Sequence, residues 1–296
     1  MAVSFDDYLV IGISSRALFD LEKANLVFEK EGLEAYRKYQ EEQEEVILQP
    51  GAGFSLVKNL LEINRRCNKK LVEVIVMSRN SAETSLRIIN SLEHYQLDIS
   101  RMAMSGGESI SRYLKSFGVD LFLSCSEEDV TLAVQKGIPA GLIYTNKQKY
   151  PDIPEDQIRI AFDADAVLFS KDSEDIFQEK GLDAFVENEV SHREEALKKG
   201  PMAKFLFSLA RLQKNAKDFN LLRTAIVTAR DKDTGVRVIK TLKKWDITVD
   251  EIFFLQGAKK ADILEAFGAN IFFDDQDVHL APASEKVPSA RVPYKE

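Results

Sequence analysis

Short apolar runs alternate with longer amphipathic stretches along the whole chain. Runs over residues 8–13, 72–77, 102–105, 121–124 and 140–144 read as strands, as do 158–162, 224–227, 252–255 and 271–273. They are apolar at consecutive positions, the pattern of strands covered on both faces. Between them, apolar residues recur at helical spacing over 21–43, 54–66, 81–92, 110–117, 176–189, 200–214, 235–244 and 261–267. QPGAG at 49–53 separates the first two helices. Strands alternating with helices predict an α/β protein whose parallel strands are joined by right-handed crossovers.

The pattern also repeats. Setting Ser78 on Thr228 aligns 78–126 with 228–276 without a gap, and nine of those 49 pairs are identical, among them Arg87/Arg237, Gly107/Gly257, Phe117/Phe267 and Gly118/Gly268. Upstream the offset becomes 149, so that Ser14 falls on Asp163, Phe28 on Phe177, Gly32 on Gly181 and Leu33 on Leu182. A nearly constant offset over most of the chain predicts a tandem duplication. Two Rossmann-like parallel-sheet units follow, residues 1–149 and 150–296, joined by the polar, proline-bearing segment 146–155.

The whole-chain properties narrow the partners. Net charge is −8, and no block of five or six basic residues is present, which argues against a nucleic acid polymer. No apolar stretch reaches transmembrane length, and Asp6 and Asp7 stand where a secretory signal would be basic. A cytoplasmic protein with no membrane partner is expected, and an assembly of identical chains is left open. Cys67 and Cys125 lack metal or redox spacing, and three histidines are too few to suggest a histidine-based metal site.

Chemistry gathers in the second copy. Asp163 and Asp165 follow the strand 158–162, Thr228 ends 224–227, Lys260 lies shortly after 252–255, and Asp274 and Asp275 follow 271–273. Parallel strands bring these groups to one edge of a sheet, where open α/β folds bind ligands. Together they fit phosphoryl transfer. A carboxylate attacks phosphorus, and a second carboxylate two residues on moves protons. A hydroxyl and an ammonium clamp the phosphoryl oxygens. Mg²⁺ prefers oxygen ligands, which Asp163 with Asp274 or Asp275 would provide. Taken singly, each feature has a plainer reading, as a solvated loop acid, a helix cap or a surface lysine. The first copy carries Ser14, Arg16, Ser78, Ile110, Ser124 and Cys125 at the matching positions, so only one hydroxyl survives there.

The order DxDxV, Thr, Lys, DD resembles the haloacid dehalogenase superfamily. The strings ISSRALFDLE, AFDADAVLFS, GPMAKFLFSLARLQ, VTAR, FFLQGAKK, IFFDDQ and RVPY resemble, more narrowly, the cytosolic 5′-nucleotidase type I family, over about residues 11–294. The resemblance implies two haloacid dehalogenase-like units, the first degenerate and the second catalytic. It implies Mg²⁺-dependent hydrolysis of nucleoside 5′-monophosphates, AMP or deoxynucleotides among them. Asp163 would be the nucleophile and Asp165 the acid/base, with its backbone carbonyl on the metal beside Asp163, Asp274 and Asp275. Thr228, Ala229, Arg230 and Lys260 would hold the phosphoryl group; alignment of the GAKK string selects Lys260 over Lys259. Residues 171–220 would form an inserted helical cap, where Phe185, His192 or Phe205 could stack on a base or simply form the cap's own core. Arg16 would serve either an effector contact or a pairing within its own sheet. The competing readings are a phosphatase of another small phosphomonoester and a non-catalytic nucleotide-binding scaffold.

Overall fold

The structure, a computed structural model, describes residues 4–145, 157–216 and 220–294, so the expected linker 146–155 lies outside the described residues. The chain divides into two compact units, Met1–Ile138 and Pro139–Glu296.

The first unit is built on strands β1 (Leu9–Ile13), β2 (Val72–Ser78), β3 (Arg101–Met104) and β4 (Leu121–Ser124). They lie in the order β3-β2-β1-β4, all parallel. Every residue of β1, β2 and β4 is buried. Cover on both faces is what the consecutive apolar runs require. The short turn α1 (Ser15–Leu18), the long α2 (Glu22–Glu42), and α3 (Phe54–Cys67), α4 (Leu86–His94) and α5 (Glu127–Gln135) make up the rest.

The second unit repeats this plan. Its strands are β5 (Ala140–Ile143), β6 (Ile158–Phe162), β7 (Leu222–Thr228), β8 (Glu251–Phe254), β9 (Ile271–Asp274) and β10 (Ser289–Arg291), in the order β5-β10-β9-β6-β7-β8. All pairings are parallel except that of β5 with β10. This antiparallel pairing ties β5 to the second unit and moves the division to 138/139, ahead of the 149/150 boundary suggested by the repeat. The helices are α6 (Asp172–Ser191), α7 (Ala203–Asn215), α8 (Gly235–Lys244), α9 (Lys260–Phe267) and α10 (Asp277–Ser284).

Two helical expectations need correction. The long helix of each copy is broken by a glycine: Gly32 sits at φ +85° and Gly181 at φ +82°, both with extended ψ. Only glycine enters that region readily, so each element is two shorter helices meeting at a sharp turn. The region 110–117 forms a 3₁₀ turn over Ile110–Arg112 instead of the helix that α9 makes in the second copy. Ser109 Oγ accepts from Ser111 N, pairs with Ser111 Oγ and donates to Asp129. Such local serine bonds compete with a helix.

Of the expected cap, α7 belongs to the core. Phe205, Leu206, Leu209 and Leu212 are buried, and the Phe205 ring meets Phe162 and Phe273 edge-on. Phe205 therefore has no exposed face on which to stack a base. The kinked α6 stays at the strand ends. Gly200 lets the chain between α6 and α7 approach the turn after β6: its N–H donates to Leu168 O, and an added Cβ would lie 2.3 Å from Phe169 O.

Candidate active site

Strand register assembles the site. Phe162 of β6 is level with Phe273 of β9 and Ile226 of β7, and the Asp163 N–H donates to Phe273 O at 2.8 Å. Asp163, Asp274 and Thr228 consequently leave their strands at nearly the same height. Lys260, the first residue of α9, places its ammonium 2.7 Å from both Asp163 Oδ1 and Asp274 Oδ2. Its neighbour Lys259 is exposed, so geometry and the string alignment select the same lysine.

One carboxylate oxygen each from Asp163, Asp274 and Asp275 lies within 4.8 Å of the others. Three carboxylates facing one ammonium leave a formal charge of −2, and the titration behaviour follows. Burial, resisted by Lys260, pushes the Asp163 carboxyl up to about 6. Burial and then the charges of Asp163 and Asp274 push Asp275 up to about 8. Asp274 is raised as well, chiefly by burial. Burial works against the Lys260 cation, but its two partners outweigh that and keep it charged. Asp275 Oδ1 is buried with no hydrogen-bond partner among the described residues. A buried carboxylate oxygen without a donor is costly, and a hard divalent cation is the group that would satisfy it. The trio therefore fits a metal ion in donor type, charge and spacing.

Asp165 does not join the trio through its carboxylate. Both of its oxygens accept from Arg230, at 2.8 Å from Nε and 2.6 Å from Nη2. The remaining Arg230 nitrogen, Nη1, donates to Glu189 Oε2 and to Thr234 O. Arg230 is 4% exposed and Glu189 fully buried. Glu189 also accepts from Arg237, Ser173 and Asn188. Arg230, expected to hold a phosphoryl group, thus already has its guanidinium filled, and burial against it is overcome by the charge of Asp165. The Phe185 ring lies 5.2 Å from the guanidinium carbon and edge-on to Phe177. His192 is exposed and bonds within its own helix end. Thr228 is buried, its Oγ1 accepting from Arg230 N, while Ala229 is exposed.

Glu189 and Arg237 were not singled out from the sequence. Arg237 carried a signal, as one of the nine identical pairs with Arg87. Glu189 lies at offset 149 from Gln40, and Arg87 donates to Gln40 in the first unit. The pair is thus repeated with its acid replaced by an amide.

The turn after β6 differs from its counterpart by one residue. In the first unit Phe19 N donates to Ser15 O, an α-turn; in the second, Phe169 N donates to Ala164 O, one residue wider. The wider turn holds Ala166 at φ +57°, and the unchanged offset of 149 means that the added residue is taken up again before α6. The turn widens immediately after Asp165.

The family model described as 5′-nucleotidase matches residues 1–296. The chain is 39% identical over 289 residues to human Cytosolic 5′-nucleotidase 1B, an alignment covering 93% of this chain and 47% of that protein. It thus spans about half the length of the curated relative it matches. No solved structure matches. No helix among the described residues is long and apolar enough to cross a membrane. With the match running over all 296 residues, carboxylate trio included, the chain belongs to the 5′-nucleotidase family.

Proposed function

We propose that the second unit hydrolyses nucleoside 5′-monophosphates, AMP or deoxynucleotides, to nucleoside and phosphate, in a cytosolic setting like that named for the relative. The observation that carries this reading is the buried Asp163–Lys260–Asp274 bridge beside the unpartnered Asp275 carboxylate. Mg²⁺ held by Asp163, Asp274 and Asp275 would neutralise charge on the phosphoryl oxygens, and Asp165 would contribute only its backbone carbonyl.

Asp163 attacks phosphorus, giving an aspartyl-phosphate, and the ester oxygen leaves. Asp165 protonates that oxygen and later takes a proton from the water that attacks the aspartyl-phosphate, which releases phosphate and restores the Asp163 carboxylate. Both Asp165 oxygens accept from Arg230, so Asp165 must give up at least one of those bonds to carry a proton into the first half of the reaction. Arg230 is thus a positioning residue, and Glu189 and Arg237 fix it in turn. Thr228, the backbone at Ala229 and Lys260 hold the phosphoryl oxygens, where charge is spread in the transition state. Phe185 and Phe177 of α6 offer an aromatic face toward the leaving nucleoside.

A phosphate-release panel over nucleoside monophosphates and sugar phosphates, with and without Mg²⁺, tests this. Mg²⁺-dependent release from AMP or a deoxynucleotide, abolished in Asp163→Asn, is expected. Preferred turnover of a sugar phosphate would transfer the reading to another phosphomonoester. Binding without turnover of any of them would replace it with a scaffold.

A further inference from the structure

The first unit has lost the acids but kept a cavity. About 510 Å³ open at the C-terminal ends of β1, β2 and β4, lined only by residues of that unit. Ser14, Ser78 and Ser124 stand there at the positions of Asp163, Thr228 and Asp274, and the Ser14 N–H donates to Leu123 O as Asp163 does to Phe273 O. The cavity is therefore the counterpart of the candidate active site.

Its charged groups are of another kind. Arg16 replaces Asp165, and Arg79 stands where the second copy has Ala229. Arg16, Arg37 and Arg79 line the cavity, each held by acids, Asp129 in the lining and Glu22, Glu34 and Glu128 beside it, where the second site has three carboxylates facing one lysine. Arg16 gives Nε and Nη2 to Glu22, and Arg79 gives Nε and Nη2 to Asp129 and Glu128. Those pairs fix both side chains and leave Nη1 of each without a partner among the described residues. The metal-spaced acidic trio among the described residues belongs to the second unit alone.

What the two units share at this place is aromatic. Phe28 and Tyr36 line the cavity with ring centroids 5.9 Å apart at 80°; Phe177 and Phe185, at offset 149, are 6.2 Å apart at 81°. Phe28 is 48% exposed, so its ring is open to a ligand. The Tyr36 oxygen accepts from both Gln40 and Asn80, which leaves its own proton to donate.

We propose that this cavity is a second, metal-independent binding site for a nucleoside monophosphate, which it holds without hydrolysing. Arg16 and Arg79 take the phosphate through their open Nη1 groups, Tyr36 donates to the sugar or base, and Phe28 packs on the flat ring. Ser14 and Ser124 carry no charge that would call for a metal. The ligand class rests on the nucleotidase reading of the second unit; the site itself does not.

The test is AMP binding to the full chain carrying Asp163→Asn, measured by calorimetry in EDTA. Without metal the acidic second site repels AMP, so saturable binding of AMP, tighter than that of inorganic phosphate or adenosine, is expected. Arg16→Ala should weaken it about tenfold or more, the worth of one charge-assisted hydrogen bond. Phe28→Ala, at a half-exposed position that does not threaten folding, should weaken AMP but leave inorganic phosphate unchanged. Absence of saturable binding in EDTA, equal binding of inorganic phosphate, or binding lost with Lys260→Ala but indifferent to Arg16 and Phe28 would overturn the proposal. Turnover by the wild-type chain is scored separately: a chain that hydrolyses AMP but binds none in EDTA loses only this proposal, and the converse loses only the catalytic reading.

Discussion

The two units present the same strand ends with opposite chemistry. Strand β1 delivers Ser14 by the same backbone bond to its neighbour with which β6 delivers Asp163. Gly51 and Gly200 bring the following chain against the same turn, donating to Leu18 O and Leu168 O. Arg87 meets Gln40 in one unit and Arg237 meets Glu189 in the other. The packed frame is kept, while three carboxylates on one lysine and a wider turn distinguish the second site from an arginine-lined cavity. The frame therefore does not depend on the acids, and the acids depend on details the frame does not require. Those details are Ala166, which widens the turn, and Arg230, which holds Asp165.

Loss of that arginine should have the largest consequence. Arg230→Met leaves Asp165 without its partner and Glu189 with one arginine instead of two. It should cost about 3 kcal/mol in denaturant unfolding, as removal of one member of a buried charge network does. Asn80→Ala at the matching position, which removes only neutral hydrogen bonds, should cost about 1 kcal/mol. Equal losses would mean that the network is not special to the second unit.

Deleting Ala166 should restore the narrower turn of the first unit. Phosphate release should fall about 100-fold, because a displacement of about an ångström in a catalytic carboxylate is enough for that, with the far-ultraviolet circular dichroism unchanged. Retained activity would show that the wider turn plays no part in placing Asp165.

A smaller effect is the pH dependence of metal binding. Asp163 at about 6 and Asp275 at about 8 must lose protons before a cation binds. Mg²⁺ affinity should rise up to about tenfold per pH unit for each linked proton, through pH 6 and then 8, and level off above. In the metal-free chain these raised carboxyl values act on stability from the ordinary aspartate range up to about 6 and about 8. Their contribution is present at low pH and is lost as pH rises toward 8, so Mg²⁺ should raise the melting temperature more at pH 8 than at pH 6. Calorimetry across pH and thermal melts with and without Mg²⁺ check both. The smallest effect is Ala166→Gly, which should stabilise the chain by about 1 kcal/mol by relieving the φ +57° backbone.

Much of this was legible in the sequence because it depends on local pattern. Consecutive apolar runs placed the strands, and the order of acids, hydroxyl and lysine after them placed Asp163, Thr228, Lys260, Asp274 and Asp275 on one edge. The near-constant offset exposed the repeat. The kinks at Gly32 and Gly181 were less visible, since a lone glycine in a helical pattern does not announce a positive φ. The 110–117 region failed as a helix through serine bonds that periodicity does not weigh. Glu189, Arg230 and Arg237 form a network across α6, the loop after β7, and α8, joining residues up to 48 positions apart, and no motif spacing encodes that. Ala166 was hidden because the offset is 149 both before and after it, so the wider turn is compensated ahead of α6 and leaves no trace in the repeat.

The catalytic reading predicts one site of chemistry per chain, at Asp163, and none in the first unit. Acid-quenching the enzyme during AMP turnover in Mg²⁺, reducing with borohydride and mapping peptides by mass spectrometry tests it directly, because an aspartyl-phosphate is reduced to homoserine. Reduction at Asp163 alone, and none in an Asp163→Asn chain, is the predicted result. Reduction at Asp165, or at any residue before 139, would contradict it.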